Sequence, residues 1–150
     1  MLESGIGGRY AYGHSDPTPR DKTIDFNDLK RVKEQWFGRS SPFQGRVDLG
    51  MAIRGPVQSE PEVVAAEFRA AKELGLRTIL HTGANKRRHL SVAKLHDAGF
   101  IESSTILSHW IGQNDRDLEA VVKTGASVSL SPTADLRTPY DSSFHDALLV

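Results

Sequence analysis

Thr78-Ile79-Leu80-His81 and Thr105-Ile106-Leu107-Ser108-His109 carry the reading of this chain. Each is a short apolar run that ends on a histidine, and each is followed by a polar loop and then a helical pattern. A chain that repeats strand, polar residue, loop and helix builds parallel βα units, because parallel strands need a crossover long enough to hold a helix. In such folds the side chains at the C-terminal strand ends form the rim where chemistry gathers. Imidazole is the commonest side-chain metal ligand and a proton shuttle near neutral pH. Two of them at equivalent places in successive units point to a site. Spacing alone leaves open the plainer reading, in which each histidine is a rim residue bonded to neighbouring backbone.

Working outward, the same pattern recurs on both sides. Gly8–Gly13 reads as a strand, residues 16–28 as a long exposed loop, and a helix is expected from an Asn27 cap through Leu29, Val32 and Trp36. Residues 46–53 alternate as a strand that Gly55-Pro56 breaks. Ser59 and Glu62 have the spacing of a capping box with Pro61 in the first turn. Val63, Val64, Ala66, Phe68, Ala71 and Leu74 then keep a helical period up to Gly75. Residues 76–81 are a strand, 88–96 a helix, and 104–109 a strand. Asn114 caps a helix through Leu118, Val121 and Val122 that Gly125 closes, and residues 127–131 are the last clear strand. The expected fold class is α/β with a parallel sheet. Periodicity does not separate a barrel from an open doubly wound sheet.

The bulk numbers exclude several classes. With 150 residues there is enough chain for one domain with a real core. The 19 basic and 19 acidic residues balance, which argues against a nucleic-acid face or a polybasic membrane anchor. There is no cysteine, so disulfides and thiolate metal sites are out. No apolar run nears the roughly 20 residues of a membrane span, and the first residues lack the pattern of a signal peptide. A cytoplasmic protein is the expectation. The phosphate loop, the Gly-x-Gly-x-x-Gly turn and the Gly-x-Ser-x-Gly elbow are all missing, so a nucleotide-binding Rossmann domain and a serine hydrolase lose ground.

Other residues are read more plainly. His14, His89, His96 and His145 are expected on exposed loops or helix surfaces. Lys86, Arg87 and Arg88 open a helix although cations there oppose its dipole, so an anionic ligand near them is an alternative to a solvated helix start. Trp110 is either an aromatic pocket wall or a packing residue.

Leu80-His81-Thr82-Gly83, Leu107-Ser108-His109-Trp110 and the segment 123–132 (Lys-Thr-Gly-Ala-Ser-Val-Ser-Leu-Ser-Pro), with Ala52-Ile53-Arg54-Gly55-Pro56 upstream, together resemble the amidohydrolase superfamily. The nearest branch looks like the cytosine-deaminase and chlorohydrolase-like metal-dependent hydrolases. The resemblance implies a partial (β/α)8 barrel covering about the third to seventh strands, with the whole chain inside that one partial domain. It implies that His81 and His109 are ligands of one divalent metal, zinc or iron, with His109 also catalytic, and that Trp110 and Arg54 touch substrate. Such a metal lowers the pKa of bound water, and the resulting hydroxide attacks an electrophilic carbon. The implied reaction is hydrolysis of a non-peptide C–N bond in a small substrate such as a heterocycle.

The departures are specific. The family's first-strand His-x-His pair and eighth-strand Asp have no counterpart here, so the chain reads as a piece that lacks both ends of the barrel. Residues 46–54 contain no lysine, which favours a single metal over a carboxylated-lysine pair. The Glu that many deaminases of the branch carry three residues after the fifth-strand histidine is Ala84 here. Open strand edges invite self-association. A non-catalytic module of the same fold, or a βα enzyme holding an anion near Lys86–Arg88, are the rival expectations.

Overall fold

Five parallel strands lie side by side in the order in which the chain makes them. In a computed structural model, which describes residues 5–14, 18–56, 58–82, 91–111 and 113–133, they are β1 (Gly8–Gly13), β2 (Val47–Ile53), β3 (Arg77–His81), β4 (Ile106–Ser108) and β5 (Ser127–Ser129). The helices α1 (Phe26–Phe37), α2 (Pro61–Glu73), α3 (Val92–Asp97) and α4 (Asp115–Thr124) fall between them. Every neighbouring pair is parallel, with Gly13 beside Ala52, Ile53 beside Leu80, His81 beside Ser108, and Ser108 beside Ser129. Each crossover therefore advances one place in the same direction. A doubly wound sheet reverses at a switch point, and this sheet does not. The order is that of successive strands in a (β/α)8 barrel.

The core runs through the strand centres. Met51, Leu80 and Leu107, one from each inner strand, are fully buried. In β2 the consecutive residues Leu49, Gly50 and Met51 are all buried, because helices cover one face and the barrel side of the sheet is filled too. Leu29 of α1, Val64, Phe68 and Ala71 of α2, Leu95 of α3, and Ala120 and Val121 of α4 pack onto this layer. Each fully buried leucine contributes roughly 2 kcal/mol of transfer free energy. None of the described helices is long and apolar enough to cross a membrane.

Several local expectations shift. α1 is capped by Asp25, whose carboxylate accepts the N–H groups of Asn27 and Asp28 at 2.9 and 3.0 Å. Starting there brings Phe26 into the helix and onto the core, whereas an Asn27 cap would leave it outside. The inward face is consequently Phe26, Leu29, Val32 and Phe37, with Leu29 and Val32 as expected, and Trp36 is turned out, 45% exposed. The Ser59–Glu62 capping box does not form. Glu60 is the N-cap, in extended geometry at φ −69° and ψ 153°, and its side chain makes no capping bond. Pro61 decides this: a cap at Ser59 would put Glu60 in a helical conformation directly before proline, which that ring disfavours. Val122 faces solvent, because the buried stripe of α4 is Asp117, Ala120 and Val121. The loop before α1 is mostly exposed as expected, apart from Ile24, which is buried. The α4 cap follows the sequence reading, and Asp117 completes a reciprocal box with Asn114 that the spacing did not flag.

Candidate active site at the C-terminal strand ends

β3 ends on His81 and the residue after β4 is Ser108's neighbour His109, so register alone brings them onto adjacent strands at one edge of the sheet. Their imidazole rings meet, with centroids 4.6 Å apart and planes tilted by 56°. Both residues are half-buried, wedged at the rim and still reachable.

The backbone is locked from both sides. The Thr82 N–H donates to Ser108 O at 2.8 Å, and the Thr82 hydroxyl donates to the carbonyls of Ser108 and His109, each at 2.9 Å. The His109 N–H still bonds in the ladder, to Ser129 O at 2.9 Å, yet its φ is +65°. A left-handed conformation costs a non-glycine residue on the order of 1 kcal/mol, and residues held that way cluster at functional sites. The Gln113 side-chain amide joins the two loops by donating to Thr82 O and Ile111 O, both at 3.1 Å. On the β2 side, Gly55 has φ +91°, and a Cβ there would stand 1.9 Å from the His81 carbonyl oxygen. Only glycine lets the turn after β2 lie against His81.

Trp110 is 4% exposed and part of the hydrophobic core directly behind His109. Arg54, the residue after β2, is occupied. Its Nη1 donates to Thr18 O at 2.8 Å and Pro19 O at 3.3 Å, while its Nε is buried with no hydrogen-bond partner. Ala84, Lys86, Arg87, Arg88 and His89 lie outside the described residues, as does His145. Two imidazoles suit zinc or iron, but a protein site needs three or four ligands. Among the described residues no group of three or more His, Cys, Asp or Glu side chains could hold a metal. The donor chemistry of the two imidazoles fits such an ion. Two hollows, of about 180 and 480 Å³, are lined by residues such as Thr78 and Thr105 or Val47 and Asp48, near the strand starts and away from this rim.

No family model matches the chain. Over 145 residues it is 26% identical to a 5-methylthioadenosine/S-adenosylhomocysteine deaminase of Archaeoglobus fulgidus, covering 90% of this chain and 34% of that protein. It is 23% identical to a 5'-deoxyadenosine deaminase of Methanopyrus kandleri, covering 90% and 33%. Its fold matches a zinc-bound adenosine deaminase from Xanthomonas campestris with a TM-score of 0.59 at 19% identity, over 75% of this chain and 26% of that one. It also matches a mutant atrazine chlorohydrolase from Arthrobacter aurescens, complexed with zinc and atraton, with a TM-score of 0.63 at 16% identity, over 90% and 34%. These relatives and neighbours point to the amidohydrolase superfamily. The chain spans about a third of the length of the curated relatives it matches. Its five parallel strands match part of the fold of these neighbours.

One feature of this amidohydrolase-like chain escaped the sequence reading. His14, expected on an exposed loop, has a side chain only 2% exposed, and its Nε2 shares a hydrogen bond with Glu67 Oε1 at 2.5 Å. Glu67 lies on α2 with its side chain 0% exposed, and the same oxygen accepts the Ile24 N–H at 3.1 Å. Its other oxygen, Oε2, is buried with no hydrogen-bond partner among the described residues. Burial pushes the Glu67 carboxyl above the ordinary glutamate value, against the opposing pull of His14, the Ile24 N–H and Arg54. The signal was present: Glu67 falls between Val63, Val64, Phe68 and Ala71 on the apolar stripe, and a carboxyl there demands a buried partner. His96, by contrast, is a surface histidine as expected, bonded to Asp97 at 3.2 Å.

Proposed function

We propose that this chain forms part of the metal-holding rim of a hydrolase acting on a non-peptide C–N bond, of the amidohydrolase or deaminase type. The substrate class is a small molecule such as a heterocycle, in keeping with the nucleoside-type and triazine names of the relatives and neighbours. The observation that carries this reading is the convergence of His81 and His109, 4.6 Å apart, on neighbouring strand ends. His81 and His109 would hold one divalent ion, zinc or iron, and the rest of its ligands would come from outside the described residues. When bound, such an ion supplies Lewis acidity and a water of lowered pKa. The chain's own residues fix the geometry. Gly55, Thr82 and Gln113 hold the two histidine backbones in place, and the left-handed turn at His109 aims its ring toward His81. His109 is the catalytic candidate of the two, imidazole being the side chain most often used to accept or return a proton at a reacting group. Trp110 sets the shape of the pocket behind it. Arg54 acts through the two carbonyls it holds.

Cytoplasmic location, and self-association through the edges of β1 and β5, are further parts of this proposal. Tyr10 on β1 and Val128 on β5 are 54% and 37% exposed. Metal content of the dialysed chain by mass spectrometry tests the main reading. About one zinc or iron per chain is expected, with loss of affinity of about a hundredfold or more in His81→Ala, since removing even an outer-shell partner costs 10–100-fold. Equal metal in both proteins would overturn it. Light scattering on the same sample tests association.

A further inference from the structure

The polar groups around Glu67 sit where the proposed site needs a wall. The segment 18–25 is the loop that leaves β1, so it belongs to the C-terminal face, yet it contains no regular structure of its own. Five bonds pin it to its neighbours. Arg54 donates to the carbonyls of Thr18 and Pro19, Glu67 accepts from the Ile24 N–H, the Arg20 side chain meets Glu60 at 3.0 Å, and the Glu60 N–H donates to Arg20 O at 3.0 Å. The Ile24–Glu67 bond is buried, the Arg54 bonds are half-buried or at the surface, and the Arg20–Glu60 side-chain pair is exposed on both sides. The same residues lead to the histidine pair. Arg54 precedes Gly55, which lies against the His81 carbonyl, and the Gly55 carbonyl accepts the N–H groups of Gln58 and Ser59, both at 3.2 Å. Ser59 is fully buried and opens the way into α2, which carries Glu67.

We infer that His14, Glu67 and Arg54 are positioning residues, a buried latch that holds the 18–25 segment as a fixed wall of the rim and keeps the Gly55 turn seated against His81. None of the three needs to touch substrate or metal. The His14 and Glu67 side chains are closed off from solvent, where a polar group left unmatched costs more than a surface pair gains. Glu67 joins three elements through one carboxyl: β1 through His14, the segment through Ile24, and α2 through its own backbone. That the rim is the working face rests on the proposed function; the holding does not.

Trypsin reads the latch directly, because Arg20 and Lys22 lie inside the segment and Lys30 lies in α1 as an internal control. Cuts are quantified by peptide mapping on the full chain. In Glu67→Ala, cutting at Arg20 and Lys22 should rise about tenfold with Lys30 unchanged, as cleavage tracks the local opening equilibrium. Glu67→Gln, which keeps an acceptor for the Ile24 N–H, should recover most of the protection. Glu60→Ala, which breaks only the exposed pair, should stay within about twofold of the parent. The His81 imidazole NMR signal should move in Glu67→Ala and stay put in Glu60→Ala. If Glu67→Ala does not fold, Arg54→Lys replaces it, with increased cutting at the same two sites expected. Parent-like cutting with an unmoved His81 signal would overturn the latch. So would an equal rise at Lys30, which would mean general loosening of the fold. Should the chain bind no metal while the latch behaves as described, the proposed function fails and the latch stands.

Discussion

Two histidine sites, His81 with His109 and His14 with Glu67, occupy the same end of the sheet and have opposite characters. The first pair is half-buried, its rings face each other, and one member is held in a left-handed backbone. The second is closed off from solvent, and its imidazole is matched to a carboxylate that also serves a backbone N–H. A histidine against a carboxylate in the interior is a structural fastening. A histidine beside a histidine at an accessible rim is the arrangement in which the proposed cation would sit. The difference is one of partners, not of position along the strand, which is why strand-end histidines must be judged by what faces them.

The comparison breaks most visibly at Glu67. Glu67→Ala leaves a buried imidazole and a buried N–H unmatched, and should lower stability by about 3 kcal/mol, the scale for removing one partner of a buried pair. Urea denaturation measures it; His81→Ala, at the half-buried rim, should cost about 1 kcal/mol or less by the same assay. Equal losses would erase the distinction. Next is Gly55→Ala, where the added carbon meets the His81 carbonyl and the φ of +91° is unfavourable for any side chain. A loss of about 2 kcal/mol is expected, accompanied by a shifted His81 ring signal and an unshifted His14 signal.

The Glu67 carboxyl also gives the closed site a pH signature. Folded Glu67 holds its proton more tightly than in the unfolded chain, whose value is near 4.5. Its contribution to stability is therefore fully present below that pH and is lost as pH rises through the raised folded value. Denaturation midpoints of the parent compared with Glu67→Gln over a pH series should isolate this downward trend, which the glutamine variant lacks. The smallest effect is expected at Tyr12, on β1 just before His14. Burial, with help from the hydrogen bond to Asp28 at 2.8 Å, pushes its phenol from 10.0 up to about 12. The sign is the same, so stability should fall between pH 10 and 12 in the parent and fall less in Tyr12→Phe, by circular dichroism.

The rim was legible in the sequence because it is local. An apolar run ending in histidine, twice, with a helix after each, gives both the βα unit and the strand-end location. The Asn114 cap and the Gly125 stop were legible for the same reason: each is decided within a few residues. Strand order was not, since nothing in any one βα unit tells which neighbour it will take. His14 and Glu67 were missed because they are far apart in the chain, and because α2 was read by its apolar residues alone. Ser59 misled through a familiar spacing that Pro61 overrides. Trp36 and Val122 misled because a hydrophobic residue at the edge of a helical stripe is as often outside as inside.

The central claim is that His81 and His109, and not the other described histidines, are a cation-binding pair. Zinc titration followed through the imidazole NMR signals tests it most directly. The account predicts that the His81 and His109 signals move together and saturate near one equivalent, while those of His14 and His96 stay where they are. Signals of His81 and His109 that do not respond, or a response centred on His14 or His96, would contradict it.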